Sequence, residues 1–217
     1  EICACLVGSE MCIRDRFHKI HFPLLSSITC CRIHLHGRQS WEGDFCMALF
    51  QVGIDVSRYQ GSINWSAVAA AGKQFAIVRI GSSNNNGAYV DPYFLQNVNG
   101  AHAAGLRVGA YYYTYARTES AVARELTTFL NALEGLQLEY PVFVDVEARS
   151  LTSLGKPQLT NLVKYAMDIL NQRKWYAGWY SYTNYINSYM NASALANYPL
   201  WVADYRSSLG YTGQYGM

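Results

Sequence analysis

The 217-residue chain predicts an α/β fold, a TIM-like β/α barrel of parallel strands that is incomplete at the C-terminus. Three observations carry this expectation. Short β-branched or aromatic runs alternate with longer amphipathic ones, a pattern that joins parallel strands through crossover helices. No G-x-G-x-x-G follows the first strand and no G-x-x-x-x-G-K-[ST] occurs, so the nucleotide signatures of open doubly wound sheets are missing. Six strands can be counted before Met217, too few to close a barrel.

The elements follow in order. Residues 51–56 read as the first strand and 65–71 as a short helix. Residues 75–80 form a nearly unbroken apolar run, expected as a buried strand. A helix is expected over 92–104, with Pro92 in its first turn and Gly105 just past its end. Residues 107–113 are the third strand. The helix over 119–133 takes Thr118 as its N-cap and Gly135 as its stop. A fourth strand over 141–146, a helix over 158–172, and strands over 176–180 and 199–203 complete the pattern.

The composition breaks sharply near residue 47. All six cysteines and four of the five histidines lie before it, whereas all eighteen tyrosines lie after residue 58. Cys30-Cys31 followed by His34 and His36 lacks the paired spacing of a tetrahedral zinc site. No apolar run of signal-peptide length stands between a basic start and a small-residue cleavage site. The stretch from Cys5 to Arg16 resembles translated adapter or non-coding DNA. Residues 1–46 therefore read as a non-native or disordered segment, and 47–217 as the catalytic domain, with Met47 as its start.

From Met47 onward twelve Lys and Arg face ten Asp and Glu without charge runs, which disfavours a nucleic-acid partner. No apolar run is long enough to span a bilayer. A cysteine-free, tyrosine-rich, low-charge domain suits a monomeric hydrolase that acts outside the cell or at the cell wall on a neutral polar polymer.

In a parallel barrel the reactive groups sit where strands end at the carboxyl-terminal face, and Asp55, Asp145 and Glu147 occupy such positions. Residues two apart on a strand share a face at about 7 Å, so Asp145 and Glu147 point the same way. Two close carboxylates cannot both ionise easily, and one then keeps a proton to donate. That equips the pair for glycosidic cleavage, although a salt-bridged or capping pair has the same spacing. The domain's single histidine, His102, lies within a helix away from the mouth, which leaves a Ser-His-Asp or zinc mechanism without its imidazoles. An all-carboxylate Mg²⁺ or Ca²⁺ site from Asp55, Asp145 and Glu147 stays open. Aromatic side chains at the strand ends, Tyr111, Tyr113, Tyr180 and Trp201, suit sugar stacking, and Arg79 joins them as a candidate substrate-binding residue.

Four ordered segments carry a resemblance. They are Gly53-Ile54-Asp55-Val56-Ser57-Arg58-Tyr59-Gln60-Gly61 with Ile63-Asn64-Trp65, then Gly105-Leu106-Arg107-Val108-Gly109-Ala110-Tyr111, then Pro141-Val142-Phe143-Val144-Asp145-Val146-Glu147, then Leu200-Trp201-Val202-Ala203. From about Val52 onward the chain resembles glycoside hydrolase family 25, the lysozyme-type muramidases. The resemblance implies cleavage of the β-1,4 bond between N-acetylmuramic acid and N-acetylglucosamine in bacterial peptidoglycan, without a cofactor. It implies Glu147 as general acid, Asp145 orienting or stabilising the substrate's 2-acetamido group, and Asp55 supporting the site. The family's closing strand, with a further aspartate after a W-Q-Y segment, finds no match, and Asp204 does not occupy its position. Two other readings remain: a non-catalytic glycan-binding barrel, and a metal-dependent phosphodiesterase that a chelator would silence.

Overall fold

The computed structural model describes residues 18–20, 51–84, 86–206 and 209–217. Among the described residues eight strands form one sheet: β1 His18–Ile20, β2 Gln51–Val56, β3 Phe75–Asn84, β4 Gly87–Val90, β5 Arg107–Tyr113, β6 Val142–Asp145, β7 Ala177–Tyr182 and β8 Leu200–Ala203. The order along the sheet is β1-β2-β3-β5-β6-β7-β8, with β4 folded back on β3. From β2 to β8 this path is parallel throughout, while β1 and β4 run antiparallel to their partners. The helices are α1 Trp65–Ala70, α2 Phe94–Ala103, α3 Glu119–Leu133, α4 Lys156–Gln172 and α5 Thr183–Tyr189. The result is the expected α/β architecture, a curled half-barrel of parallel strands with crossover helices. Beyond β8 the backbone of Gly216 and Met217 donates to the Leu200 carbonyl at 2.8 and 3.1 Å.

Alternation along the strands sorts the core into two layers, because successive side chains leave opposite faces of a sheet. Ala76, Val78 and Ile80 of β3, Val108, Ala110 and Tyr112 of β5, and Val142 and Val144 of β6 meet Val98, Leu126, Phe129 and Met167 of the helices. The other set, Phe75, Ile77, Tyr111, Phe143, Tyr180 and Trp201, fills the concave side. Trp201 is its hub, with ring centroids of Tyr180, Phe143 and Tyr111 at 4.5, 5.4 and 6.1 Å. Such near-perpendicular or tilted ring pairs contribute beyond the area they bury. Both faces of the central strands are therefore dry, which is why they read as apolar runs rather than as alternation.

The third strand corrects the expected boundary. The run read as ending at Ile80 continues to Asn84, turns, and returns as β4, pairing Asn84 with Gly87 and Gly81 with Val90. Gly87 has φ 105°, the left-handed backbone that favours glycine in a tight turn. The polar stretch Ser82–Asn86 hides this hairpin from an apolar pattern, although its Asn-Gly step is the usual hairpin signal. Gly81 is fixed for another reason, since a Cβ there would collide with the Tyr89 carbonyl of the returning strand. The helix α5 was also not expected. Of the segment 1–46, only His18–Ile20 lies within the described residues, paired with Gln51–Gly53; the rest lies outside them.

The expected cap of α3 is present, with the Thr118 side chain accepting from the Ala121 N–H at 3.2 Å. Thr118→Ala is expected to lower stability by about 1 kcal/mol, measured by denaturant unfolding, because one orphan N–H of the first turn loses its acceptor.

Candidate active site

The cleft opens where β3, β5 and β6 end, with a volume of about 1360 Å³. Its walls come from the β3–β4 hairpin (Asn84, Asn86, Tyr89), the turn after β5 (Tyr113, Tyr115, Ala116), α3 (Arg124, Glu125) and Glu147. Tyr59, from the turn after β2, closes one side. Carboxyl ends of parallel strands converge here, so side chains far apart in sequence meet.

Asp145 is the last residue of β6 and is 5% exposed, paired in the ladder with Tyr113 on one side and Tyr180 on the other. Glu147 lies two residues on, half-buried, and lines the cleft. The Tyr113 hydroxyl is pushed well up, first by burial and then by the charges of Asp145 and Glu147. Tyr182 is raised by burial and again by Glu147. The charges of both carboxylates thus act on the Tyr113 hydroxyl.

The other predicted site residues divide. Tyr113 lines the cleft, its ring 4.9 Å from Tyr115. Tyr111, Tyr180 and Trp201 are 5%, 1% and 1% exposed and belong to the buried aromatic cluster rather than to the cleft lining. Arg79 lines the cleft but is committed to Asp91, with contacts of 2.8 Å from Nε and 2.7 Å from Nη2. Asp91 also accepts the Arg58 N–H at 2.9 Å and the Tyr93 N–H at 3.0 Å. The Arg79 guanidinium stands 4.9 Å from the Tyr59 ring, so this buried pair braces one cleft wall.

Asp55 is half-buried near the end of β2. It faces Ile77 in the ladder, Ile77 faces Gly109, and Gly109 lies four residues before Tyr113, which faces Asp145. Among the described residues no group of three His, Cys, Asp or Glu side chains could hold a metal ion, so the all-carboxylate site left open by the sequence is not assembled. His102 pairs with Glu139 at 3.1 Å, and Glu139 accepts the N–H of Val108 at the start of β5, the end remote from Glu147. Asp204 is held far below the usual carboxylate range by Arg206, with further donors from Gly210 and Thr183. Its acceptor positions serve its own loop and the start of α5.

Sequence reading missed Tyr59, Tyr89 and Glu125. Glu125 is 5% exposed on α3 and accepts from Ser83 Oγ at 2.5 Å, Thr114 Oγ1 at 2.7 Å and the Tyr115 N–H at 3.2 Å. Burial pushes its carboxyl up against the pull of these donors. A signal existed, because Glu125 falls within the buried stripe of Val122, Leu126 and Phe129.

Two carboxylates near one strand end beside an aromatic, polar cleft are groups that glycosidic cleavage can use. The chain belongs to glycosyl hydrolases family 25, whose family profile matches residues 54–215. It is 29% identical over 153 residues to an autolytic lysozyme of Clostridium acetobutylicum, covering 70% of this chain and 44% of that protein. It is 42% identical over 72 residues to lysozyme M1 of Streptomyces globisporus, covering 33% of this chain and 24% of that protein. The chain thus spans less than half the length of these two curated relatives. Among solved structures, the bacterial lysozyme from Streptomyces coelicolor superposes with a TM-score of 0.62 at 26% identity, covering 73% of this chain and 76% of that one. Among the described residues no helix is long and apolar enough to cross a membrane.

Proposed function

We propose that residues 47–217 act as a peptidoglycan muramidase, cleaving the β-1,4 bond from N-acetylmuramic acid to N-acetylglucosamine outside the cell or at the wall, as a monomer. The observation that carries this is the placement of Glu147 on the cleft wall beside Tyr113, with buried Asp145 two residues before it and both charges acting on the Tyr113 hydroxyl. Glu147 donates its proton to the leaving glycosidic oxygen as the bond to the anomeric carbon breaks. Asp145 orients the 2-acetamido group, which supports the positive charge developing at that carbon, and water then supplies the hydroxyl of the new reducing end while its other proton returns to the Glu147 carboxylate. Asp55 supports the site from the end of β2.

Tyr113 is the stacking surface nearest the carboxylates, and Tyr111, Tyr180 and Trp201 set the depth at which a sugar ring rests. Arg79 contributes by holding Tyr59 against the cleft. The similarity to two lysozymes supports the same substrate class.

Digestion of purified peptidoglycan followed by borohydride reduction and mass spectrometry tests the bond. N-acetylmuramitol at the new ends is expected. N-acetylglucosaminitol would move the cut to the other linkage, and wall binding without any new reducing ends would favour a non-catalytic glycan-binding barrel.

A further inference from the structure

We infer that Ser181 and Tyr185 are positioning residues that clamp the two backbone carbonyls flanking Glu147 and so hold its carboxyl at the cleft. The inference deepens the reading of Glu147 as the acid and rests on it. The ladder of β6 ends at Asp145, so the backbone carrying Glu147 needs other partners. The Val146 N–H still reaches the Tyr180 carbonyl at 2.9 Å. The Val146 carbonyl instead accepts the Ser181 hydroxyl at 2.6 Å, and the Ala148 carbonyl accepts the Tyr185 hydroxyl at 3.1 Å.

All four residues are interior, with Ser181 and Tyr185 at 0% and 1% exposure and Val146 and Ala148 at 0% and 2%. Tyr185 is itself braced by the rings of Tyr182 and Tyr189, at 5.6 and 5.1 Å. Neither hydroxyl-bearing residue lines the cleft, so each acts through Glu147 rather than on the sugar. The Val146 carbonyl carbon is bonded to the Glu147 nitrogen. If that carbonyl loses its donor in a dry interior, the backbone shifts to find another, and Glu147 moves with it. Displacements on the order of 1 Å at a reacting group cost large factors in rate.

The test compares Ser181→Ala, Tyr185→Phe, Ser181→Thr, Thr160→Ala and Glu147→Gln. Thr160 is a control, a buried hydroxyl on α4 that accepts the Asn191 N–H at 2.9 Å and is bonded to nothing in the Glu147 segment. Ser181→Ala and Tyr185→Phe are expected to lower kcat on soluble glycan strands by about tenfold or more, with KM within about twofold of the parent. They should also displace the Glu147 carboxyl titration seen by carbon NMR and speed exchange of the Glu147 and Ala148 amides. Ser181→Thr should restore all three, and Thr160→Ala should lower the melting temperature without changing kcat. Parental kcat, titration and exchange in both Ser181→Ala and Tyr185→Phe would overturn the inference. Parental activity in Glu147→Gln would instead remove the acid assignment, and exchange and titration would still decide whether the two hydroxyls hold this segment.

Discussion

Glu147→Gln is expected to abolish release of reducing ends from peptidoglycan, with kcat falling by about 100-fold or more while wall binding is kept. The amide preserves the shape of the side chain on the cleft wall, so contacts to sugar hydroxyls survive. It has no proton acidic enough to give to the leaving oxygen. The neighbouring carboxylate cannot substitute, because Asp145 is 5% exposed beneath the cleft, whereas Glu147 lines it. A binding isotherm on insoluble wall and a reducing-end assay separate the two effects. A rate within about twofold of the parent would remove Glu147 from the chemistry.

Asp91→Ala is expected to cost about 3–5 kcal/mol of stability. The side chains of Arg79 and Asp91 are 6% and 0% exposed, so removing the carboxylate strands a guanidinium in the interior. The N–H groups of Arg58 and Tyr93 lose their acceptor at the same time. The double variant Arg79→Met with Asp91→Leu should recover much of the loss, since it leaves no buried charge behind. Its KM should nevertheless rise, because the Tyr59 ring loses the cation that braces it. Denaturant unfolding of the three proteins gives the comparison, and an Asp91→Ala variant within about 1 kcal/mol of the parent would show that Arg79 finds water or another acid.

The parallel strands and their helices were legible because each is buried on both faces and bounded by Thr118, Gly105 or Gly135, whose conformations follow from local chemistry. The hairpin of β3 and β4 was not, since its strands are stabilised by pairing rather than by an apolar pattern. The pairing of Asp145 with Glu147 followed from strand alternation. Whether Arg79, Tyr180 and Trp201 would face a sugar did not, because alternation gives the face of a sheet but not the depth along it.

The sequence by itself determined the α/β class, the succession of parallel strands and helices along the chain, and the strand end that carries Asp145 and Glu147. All of these rest on periods of two or 3.6 residues and on single capping residues, which are local. Only the tertiary structure decided that Arg79 belongs to Asp91, that Glu125 ties the hairpin to the turn after β5, and that Ser181 and Tyr185 hold the backbone on either side of Glu147. These partners are 12, 42, 10, 35 and 37 residues apart in the chain. The physical reason is that a buried polar group must find a partner wherever the packed chain offers one, and no local pattern records which distant residue that will be.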